Sequence, residues 1–428
     1  MRKSQTFSSR DVLKLSDELA HLDVGERAGR FGELTPERKK AVFPQMDAAH
    51  QEELLDRMEQ ETLAELLECL DPDDRVRLFE QLSKEKAGKI LEGLSPGERS
   101  LTERLLKYPV ESAGRTMSPE CLALSPEMRA DEALARVRLD GRDAETVFVL
   151  PVTGEEERLL GTTTLDELVF AEPDALIHDF MRTEQPTVHP DEDQELVARL
   201  IQSADLLAIP VVDAENRLLG LVTVDDAMDV IEIEESEDLA RTGAAEPLRR
   251  PYFSTSILRL MRSRVVWLLL LGLAATLTVQ VLSAFEGTLE EVVTLSLFIP
   301  LLIGVGGNAG AQSATTIVRA LAMDDVRLAN LARVMFREFR VGLMLGATLG
   351  VIGFLIVWLV FGQDMAIVVS LSLVAICALA SLVGSGMPIL ANRFGIDPAV
   401  VSAPFVTTIV DATGLLVYFT VARAILGI

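Results

Sequence analysis

The stretch Asp397–Ile428 reads DPAVVSAPFVTTIVDATGLLVYFTVARAILGI, and it decides how the rest of the chain is organised. Between Pro398 and Ala422 the only charged residue is Asp411, and this run is long enough to cross a bilayer, for which about 20 residues suffice. A charge near the middle of a span costs about 2.5–3.5 kcal/mol on insertion scales, so such residues usually face a polar path. Thr407 lies one helical turn earlier on the same face. The stretch therefore predicts a membrane helix that presents a carboxylate to a polar path.

The chain has two halves of different charge. Residues 1–250 contain 56 acidic and 30 basic residues, a net charge of −26, whereas residues 251–428 contain 9 acidic residues and 10 arginines, a net charge of +1. The first half is long enough to bury its own core and to hold more than one domain. Its acidity argues against nucleic acid as a partner and for cations. An acidic surface that serves only solubility is the alternative interpretation.

Cysteines and histidines give no sign of a metal centre or an enzyme. Cys69, Cys121 and Cys377 are scattered without a CxxC pair, so they predict neither a disulfide framework nor a zinc site. The four histidines are dispersed and no nucleophile–base pair is visible, so no enzymatic activity is predicted. The N-terminus lacks the apolar core of a signal peptide, and the acidic half is therefore expected to stay in the cytoplasm.

The first segment, residues 1–116, is predicted to be an all-α domain of helical repeats. A helix end, a capping residue and a proline recur at residues 34–38 (LTPER), 70–75 (LDPDDR) and 94–99 (LSPGER). A capping Thr, Asp or Ser followed by proline is typical of a helix start. Apolar residues at helical spacing follow, as in Val76 and Phe79. This pattern predicts short helical hairpins stacked as a solenoid of either hand.

An internal repeat of roughly 60 residues follows, at residues 117–180 and 181–230. Met117 matches Met181, and the Arg-Leu-Leu-Gly of residues 158–161 matches that of residues 217–220. Each copy combines an amphipathic helix, a β-rich run, a turn, a second strand and a second helix. The repeat resembles a tandem pair of CBS domains, an α/β regulatory module that binds adenosyl ligands.

The resemblance to CBS domains implies a site for an adenine nucleotide in the second copy. The family's Thr-x-x-Asp ribose contact corresponds to Thr223 and Asp226. The first copy has Thr164 and Glu167 at the same place, which departs from the family pattern. A nucleotide is therefore expected in the second copy rather than in the first.

An acidic connecting helix is predicted between the repeats and the membrane part, over residues 231–258. Its acidic residues stand at helical spacing, where like charges repel and destabilise the helix unless they are neutralised. A solvated connector with one apolar stripe is the alternative. The membrane domain is then predicted to occupy residues 259–428.

Five uncharged runs can each span a bilayer. They are Val265–Ala284, Val292–Val318, Val341–Gly362, Met365–Asn392 and the run around Asp411. Arginines lie before the first run, between the second and third, and between the fourth and fifth, whereas the other two loops contain neither Lys nor Arg. The positive-inside rule therefore predicts a cytoplasmic N-terminus and an external C-terminus.

The second run contains Pro300–Ser313, which reads PLLIGVGGNAGAQS. A dinucleotide-binding loop is excluded, because the glycines lie in a membrane span without a surrounding βαβ unit. Small residues permit close helix approach. Pro300 and the glycines are also expected to loosen the helix and to free carbonyl groups beside a watery cavity. Asn308 and Gln312 need polar partners when buried, so they indicate a polar path.

The combination of these motifs resembles the MgtE family of magnesium channels over the whole chain. The motifs are the Gly-Gly-Asn-x-Gly-x-Gln within Pro300–Gln312 and the Asp397-Pro398-Ala399 that leads to Asp411, in this order behind a CBS pair. The implied fold is multidomain: an all-α helical-repeat N-domain, an α/β tandem CBS pair and an all-α polytopic membrane domain with five transmembrane helices. The implied assembly is a homodimer in the lipid bilayer, with one pore on the two-fold axis lined by the second and fifth spans.

Family resemblance also implies roles for single residues. Asp411 corresponds to the pore carboxylate that recognises Mg²⁺, Thr407 to a residue lining the same site and Asn308 to a polar residue facing the pore. Several cytosolic acids correspond to positions that bind Mg²⁺ and hold the channel shut. They are Asp193, Glu195, Asp205, Asp226, Glu234, Glu237 and Asp238, with Asp71 and Asp74 as candidates in the N-domain.

The predicted function is therefore a Mg²⁺-selective channel for magnesium uptake, gated by cytosolic Mg²⁺ that acts on these acids. Two other functions stay open at this point. One is an ion-coupled divalent-cation carrier with Asp411 as its proton site, since proton relays use lone intramembrane carboxylates. The other is a membrane-anchored nucleotide sensor that acts through the CBS pair.

Overall fold

The structure, a computed structural model, forms two compact units. It describes residues 9–46, 48–58, 60–81, 84–142, 144–248, 252, 255–323, 325–401 and 403–428. The units are Met1–Glu234 and Glu235–Ile428, here termed the first and the second unit. The multidomain fold class is confirmed, because helical repeats, small sheets with helices and long apolar helices follow one another as predicted.

Short helices build the start of the first unit. They are α1 (Ser9–Ala20), α2 (Val24–Gly32), α3 (Pro36–Val42), α4 (Ala48–Arg57), α5 (Gln60–Cys69), α6 (Pro72–Gln81), α7 (Lys84–Gly93) and α8 (Pro96–Leu105). Alternate helices pack on one another, as α1 does on α3, α3 on α5 and α6 on α8. Pro36, Pro72 and Pro96 each begin a helix, because proline lacks the N–H that would go unpaired there. The predicted stacked hairpins are confirmed.

Buried arginines join consecutive helices of this domain. Arg75 is only 1% exposed, and its Nε donates to the carbonyl of Leu67 at 2.7 Å while Nη2 donates to that of Leu70 at 2.9 Å. Its guanidinium also pairs with Glu98. The carbonyls at the end of α5 have no N–H of their own helix to accept from, and the N–H groups of the arginine donate to them instead. Arg27 repeats this arrangement after α1.

Two small antiparallel sheets follow, one in each repeat. A short helix precedes each repeat, α9 (Ala113–Thr116) before the first and α12 (Ile177–Phe180) before the second. The first repeat contains α10 (Ala130–Asp140), β1 (Val149–Thr153), β2 (Leu159–Thr164) and α11 (Leu165–Phe170). The second contains α13 (Gln194–Ser203), β3 (Ala208–Val212) and β4 (Leu218–Thr223). Val149 pairs with Thr164 in the first sheet, and Ala208 pairs with Thr223 in the second. Both ladders shift register before their last pair. The shared register confirms the internal repeat.

The two repeats exchange backbone hydrogen bonds at their beginnings. Ser118, which opens the first repeat, donates to Leu221 in β4 at 2.8 Å and accepts from it at 2.9 Å. Arg182, at the start of the second repeat, makes the same two bonds with Thr162 in β2, at 2.8 and 2.9 Å. A β-carbon on Gly220 would lie 2.5 Å from the carbonyl oxygen of Ser118, so this approach requires glycine. The repeats therefore support each other as a pair.

An acidic helix, α14 (Val224–Thr242), follows β4 directly. The connecting helix predicted over residues 231–258 therefore starts earlier and ends sooner than expected. It ends before Gly243 and Ala244, and Ala244 has a left-handed φ of 54°, which an α-helix cannot continue through. Residues 249–251, 253 and 254 of the predicted segment lie outside the described residues.

The predicted five spans are confirmed within the described ranges. The helices long and apolar enough to cross a membrane are α15 (Ile257–Ala284), α17 (Ile299–Ala322), α18 (Leu331–Phe361), α19 (Gln363–Arg393) and α20 (Ala403–Leu426). A short helix, α16 (Glu286–Glu291), and a 3-10 turn at Val293–Phe298 separate the first two. No residue in the apolar stretch of α15 is buried within the unit, whereas α19 is the most buried of these five spans.

The expectation that Pro300 and the glycines loosen the second span is wrong. Pro300 lies in the first turn of α17, where its ring breaks no hydrogen bond, and the helix runs without interruption to Ala322. The glycines bring helices together instead. A β-carbon on Gly384 of α19 would lie 2.2 Å from the carbonyl oxygen of Gly310 in α17. The backbones of these two spans thus touch, as small residues allow in membranes.

Candidate pore and regulatory sites

The helix that carries Asp411 begins after a capped turn. The Oδ1 of Asp397 accepts a hydrogen bond from the N–H of Ala399 at 2.8 Å and so opens the 3-10 turn Pro398–Val400. Thr407, in the first turns of α20, donates its hydroxyl to the carbonyl of Pro404 at 2.8 Å. Its oxygen lone pairs therefore remain available for a water molecule or an ion.

Asp411 lies in a notch made by glycine. A β-carbon placed on Gly307 of α17 would be 3.3 Å from Cγ2 of Thr407 and 3.7 Å from Oδ1 of Asp411. Asp411 is partly buried, and within the described ranges no Lys or Arg forms an ion pair with it. The structure therefore brings Thr407 and Asp411 together against the backbone of α17, and it leaves the carboxylate without a cation of the chain.

Two amide side chains of α17 lie on its outward face. Asn308 and Gln312 are exposed on the unit, one helical turn apart, whereas Gly306, Gly307 and Gly310 are buried. Exposed amides in the middle of a membrane span cannot face lipid without loss of their hydrogen bonds. This face of α17 therefore needs water or another protein surface against it.

Three of the predicted regulatory acids lie close together in the first unit. Asp193 caps α13 by accepting from the N–H of Glu195 at 2.8 Å, and Glu195 forms an ion pair with Arg199 at 2.6 Å. The side chain of Gln194 donates to Glu234 of α14 at 3.0 Å. Asp193, Glu195 and Glu234 thus surround the start of α13. Asp205 lies beyond the other end of that helix, in a left-handed turn with φ 52°.

Glu237 and Asp238, two further predicted regulatory acids on α14, belong to the second unit. Glu237 pairs with Arg241 at 2.9 Å, and Asp238 follows it. Nη1 of Arg241 also donates to Asp397 at 2.6 Å. This ion pair joins α14 to the loop that opens α20, and the sequence pattern gave no sign of it, because the two residues are 156 positions apart.

Asp226, the residue predicted for both Mg²⁺ and a nucleotide, is already engaged. It is 9% exposed, and the hydroxyl of Thr223 donates to its Oδ2 at 2.5 Å. Its Oδ1 lies 3.6 Å from Nη2 of Arg77 in α6. A ribose that contacts Thr223 and Asp226 must break the bond between them and compete with Arg77.

Burial raises the pKa of several carboxyl groups around Asp226. The pKa of Asp73 is raised well above its ordinary value, first by burial and then by the charge of Asp226. Burial raises the pKa of Asp74 to about 6 against the opposing effect of Arg77. Burial, with Asp71 and Asp226, raises the pKa of Glu145 to about 7. These side chains form an acidic joint between α6, α14 and the first repeat.

No complete metal site exists within a single copy of the described chain. Among the described residues no group of three or more His, Cys, Asp or Glu side chains is arranged to hold an ion. The candidate pore residues supply one carboxylate and one hydroxyl, and the acids near α13 are held by Gln194 and Arg199. A hydrated ion needs fewer direct ligands than a dehydrated one, since its own waters fill the first shell.

Family models match three separate parts of the chain. The MgtE intracellular N domain matches residues 11–111, a CBS domain matches residues 177–233, and the MgtE divalent cation transporter domain matches residues 299–421. The first two cover the helical repeats and the second repeat. The third covers α17 to α20 and contains Asn308, Thr407 and Asp411.

Curated relatives that match the chain over most of their length share one name. The chain is 42% identical to the magnesium transporter MgtE of Thermus thermophilus over 78% of this chain and 74% of the relative. It is 32% identical to the magnesium transporter MgtE of Bacillus subtilis over 95% of this chain and 87% of the relative. A crystal structure of the cytosolic domain of the Mg²⁺ channel MgtE with ATP aligns with a TM-score of 0.40 at 31% identity, over 52% of this chain and 98% of that one. The chain belongs to the MgtE family of magnesium transporters.

Proposed function

We propose that the chain is a Mg²⁺-selective channel for magnesium uptake, which closes when cytosolic Mg²⁺ binds its acidic half. The observation that carries the proposal is the notch at Gly307, where Asp411 and Thr407 lie together in a membrane span without a cation of the chain. Mg²⁺ dehydrates reluctantly, so the hydrated ion is the species that such a site accommodates. The carboxylate and the hydroxyl contact its waters.

A homodimer completes the pore in this proposal. A two-fold axis beside the outward face of α17 brings two copies of Asn308 and two of Asp411 around one path. Two carboxylates then balance the two charges of the ion, while contacts through its waters keep binding weak enough for release. The same association removes the exposed amides of α17 from lipid. The arginine-flanked ends of the spans support a cytoplasmic N-terminus and an external C-terminus in this proposal.

Regulation is proposed to act through the acids of the first unit and of α14. Asp193, Glu195 and Glu234 gather at the start of α13, with Asp205 beyond its end and Glu237 and Asp238 further along α14. Asp226 joins this set only if Mg²⁺ displaces Arg77. Ions that neutralise these acids stabilise one arrangement of the assembly over another, which is a population shift. Several weak sites that act together give a steep response to concentration.

Mg²⁺ flux into proteoliposomes tests the pore role. We expect Asp411→Ala to abolish flux while the protein inserts and remains folded. Asp364→Ala is the matched control, because this carboxylate lies in the first turn of α19 and is exposed. Undiminished flux in correctly inserted Asp411→Ala would rule out the pore role. Flux that follows a proton gradient at clamped voltage would favour an ion-coupled carrier instead.

A further inference from the structure

Arg77 stands at the centre of the acidic joint. Its Nη1 donates to Asp229 of α14 at 2.7 Å, and its Nη2 lies 2.9 Å from Asp74 and 3.6 Å from Asp226. The planar guanidinium can hold several carboxylates in fixed directions, which an ammonium group cannot do. One arginine thus holds together acids of two elements, α6 and α14, that are distant in sequence.

The joint is closely packed around this arginine. Asp73 is 6% exposed and Asp226 is 9% exposed, and their carboxyl groups are direct neighbours. The Oδ1 of Asp73 has no hydrogen-bond partner in the structure. Val76, on the adjacent face of α6, belongs to the same hydrophobic core as Val222 and Val230. The raised pKa of Asp73 lets this carboxyl group stay protonated beside Asp226. The acids around the arginine, Asp74, Asp226 and Asp229, would repel one another when ionised without a cation between them.

Electrostatics favours the arginine as that cation. Burial alone would lower the pKa of Arg77, but Asp74 and Asp229 more than compensate, so its pKa lies above its ordinary value. Arg77 is therefore charged at every physiological pH. Unlike a diffusible ion, it is present at the joint at any Mg²⁺ concentration.

We propose that Arg77 is a built-in cation that closes the joint between α6 and α14 without Mg²⁺. The guanidinium holds together Asp74, Asp226 and Asp229, which otherwise need a divalent cation. The inference rests on the proposed function, since it assumes that Mg²⁺ regulates the other acids. It assigns the Mg²⁺ response to the acids near α13 and further along α14, and it makes this joint a constant part of the assembly.

Removal of the arginine should therefore create a dependence on Mg²⁺. In Arg77→Met the aliphatic part of the side chain stays and the charge goes, so the carboxylates repel until a divalent cation enters. Hydrogen exchange of the full-length protein in detergent, followed in peptides that cover α6 and the first turns of α14, measures this directly. Arg99→Met is the matched control, because Arg99 is half-exposed on α8 and pairs with Glu103 in its own helix.

The expected result is specific to the charge. In the parent and in Arg99→Met, exchange at the joint is the same in EDTA and in millimolar Mg²⁺. In Arg77→Met, exchange in EDTA rises about tenfold or more. The Arg77 side chain is only 38% exposed, so its removal leaves partly buried carboxylates without their cation. Millimolar Mg²⁺ restores the protection, whereas K⁺ at equal ionic strength does not.

A second variant separates charge from packing. Arg77→Met combined with Asp226→Asn and Asp229→Asn removes the repulsion together with the arginine, so it should regain protection in EDTA and lose the response to Mg²⁺. The proposal is overturned if Arg77→Met exchanges like the parent in EDTA, if Mg²⁺ does not restore its protection, or if the parent joint itself needs Mg²⁺. The Mg²⁺ flux of Asp411→Ala is a separate measurement from hydrogen exchange at the joint. Failure of the pore proposal would therefore not be mistaken for failure of the Arg77 proposal.

Discussion

Gly307 of α17 faces Asp411 of α20 so closely that a β-carbon on the glycine would lie 3.7 Å from Oδ1 of the carboxylate. The neighbouring glycine is more restricted still, because a β-carbon on Gly306 would lie 2.6 Å from Cγ2 of Ile376 and 3.1 Å from Val410. Gly307 keeps space open beside the carboxylate, and Gly306 lets α17, α19 and α20 pack together. Adjacent glycines thus serve two different purposes.

Gly306→Leu should abolish transport by forcing these helices apart. Overpacking a filled core costs typically about 1–3 kcal/mol, and here one displaced side chain, Val410, is the immediate neighbour of Asp411 on α20. Flux and thermal unfolding in detergent measure the two effects. Gly272→Leu on α15 is the control, because nothing lies within 4 Å of a β-carbon at that position. Normal flux in Gly306→Leu would show that α17 does not determine the pore.

Asn308→Cys should form a disulfide across the two-fold axis of the proposed homodimer. Asn308 is exposed on the outward face of α17, where the proposal places the partner copy. Oxidation in membranes, followed by denaturing electrophoresis without reductant, reports the crosslink. Leu268→Cys on the exposed apolar surface of α15 should not crosslink. A crosslink in Leu268→Cys and none in Asn308→Cys would show that the two-fold axis does not lie beside α17.

Glu234→Gln, Glu237→Gln and Asp238→Asn together should raise the Mg²⁺ concentration that closes the channel. The change removes negative charge from one stretch of α14 and leaves the Arg77 joint intact. Flux measured against internal Mg²⁺ gives the closing concentration. If the triple variant closes at the parent concentration, this stretch of α14 is only a solvated connector.

Lower pH should stabilise the first unit. Burial raises the pKa of Glu145 to about 7, above the ordinary value of 4.5 for an unfolded chain, so the folded state takes up this proton first. This contribution to stability is fully present below about pH 4.5 and is lost progressively as pH rises through about 7. Thermal unfolding between pH 8 and pH 5.5 should show Tm rising as pH falls, by about 2–4 °C per kcal/mol. Glu145→Gln should flatten this dependence, and an unchanged slope would assign it to other groups.

Exchange of the charges in the Arg241–Asp397 pair tests whether it couples α14 to the pore helix. Arg241→Asp and Asp397→Arg should each weaken closure by Mg²⁺, since each places like charges at a 2.6 Å contact. The double variant should recover closure, because the pair is restored in the opposite direction. A double variant that is as defective as the sum of the singles would mean that the residues act independently.

Periodicity and small motifs predicted the architecture well, for local reasons. Proline after a capping residue begins α3, α6 and α8, because the proline ring fits a first helical turn wherever it occurs. The apolar runs became spans for a similar reason, since length and hydropathy alone decide whether a helix can cross a bilayer. Asp411 stood out because nothing around it in sequence is charged.

Arginines were the part that sequence reasoning missed. Arg75 and Arg77 are two positions apart on α6, and the sequence does not distinguish their roles. Arg75 is buried and donates to carbonyls at the end of α5, whereas Arg77 binds Asp229 of α14. Arg77 pairs locally with Asp74, but its bond to Asp229 spans 152 positions, so the local pattern does not predict that it joins α6 to α14. Pro300 was misinterpreted for a related reason: its effect depends on where α17 begins, and the apolar run continues on both sides.

The pore helix is anchored very differently at its two ends. Near its C-terminus the hydroxyl of Tyr418 donates to the carbonyl of Leu295 at 2.9 Å, and Nε of Arg423 donates to Thr288 at 2.9 Å. The other end follows a short turn whose Asp397 is bound to α14. Between these ends Val406 and Val410 pack with Ala309 of α17 and Ala380 of α19, so a gating movement of α20 has to repack these side chains and is smallest at the Tyr418 end. In the proposed channel, the surface around Tyr418 and Arg423 would then be the same in both states, and the surface around Asp397 would differ.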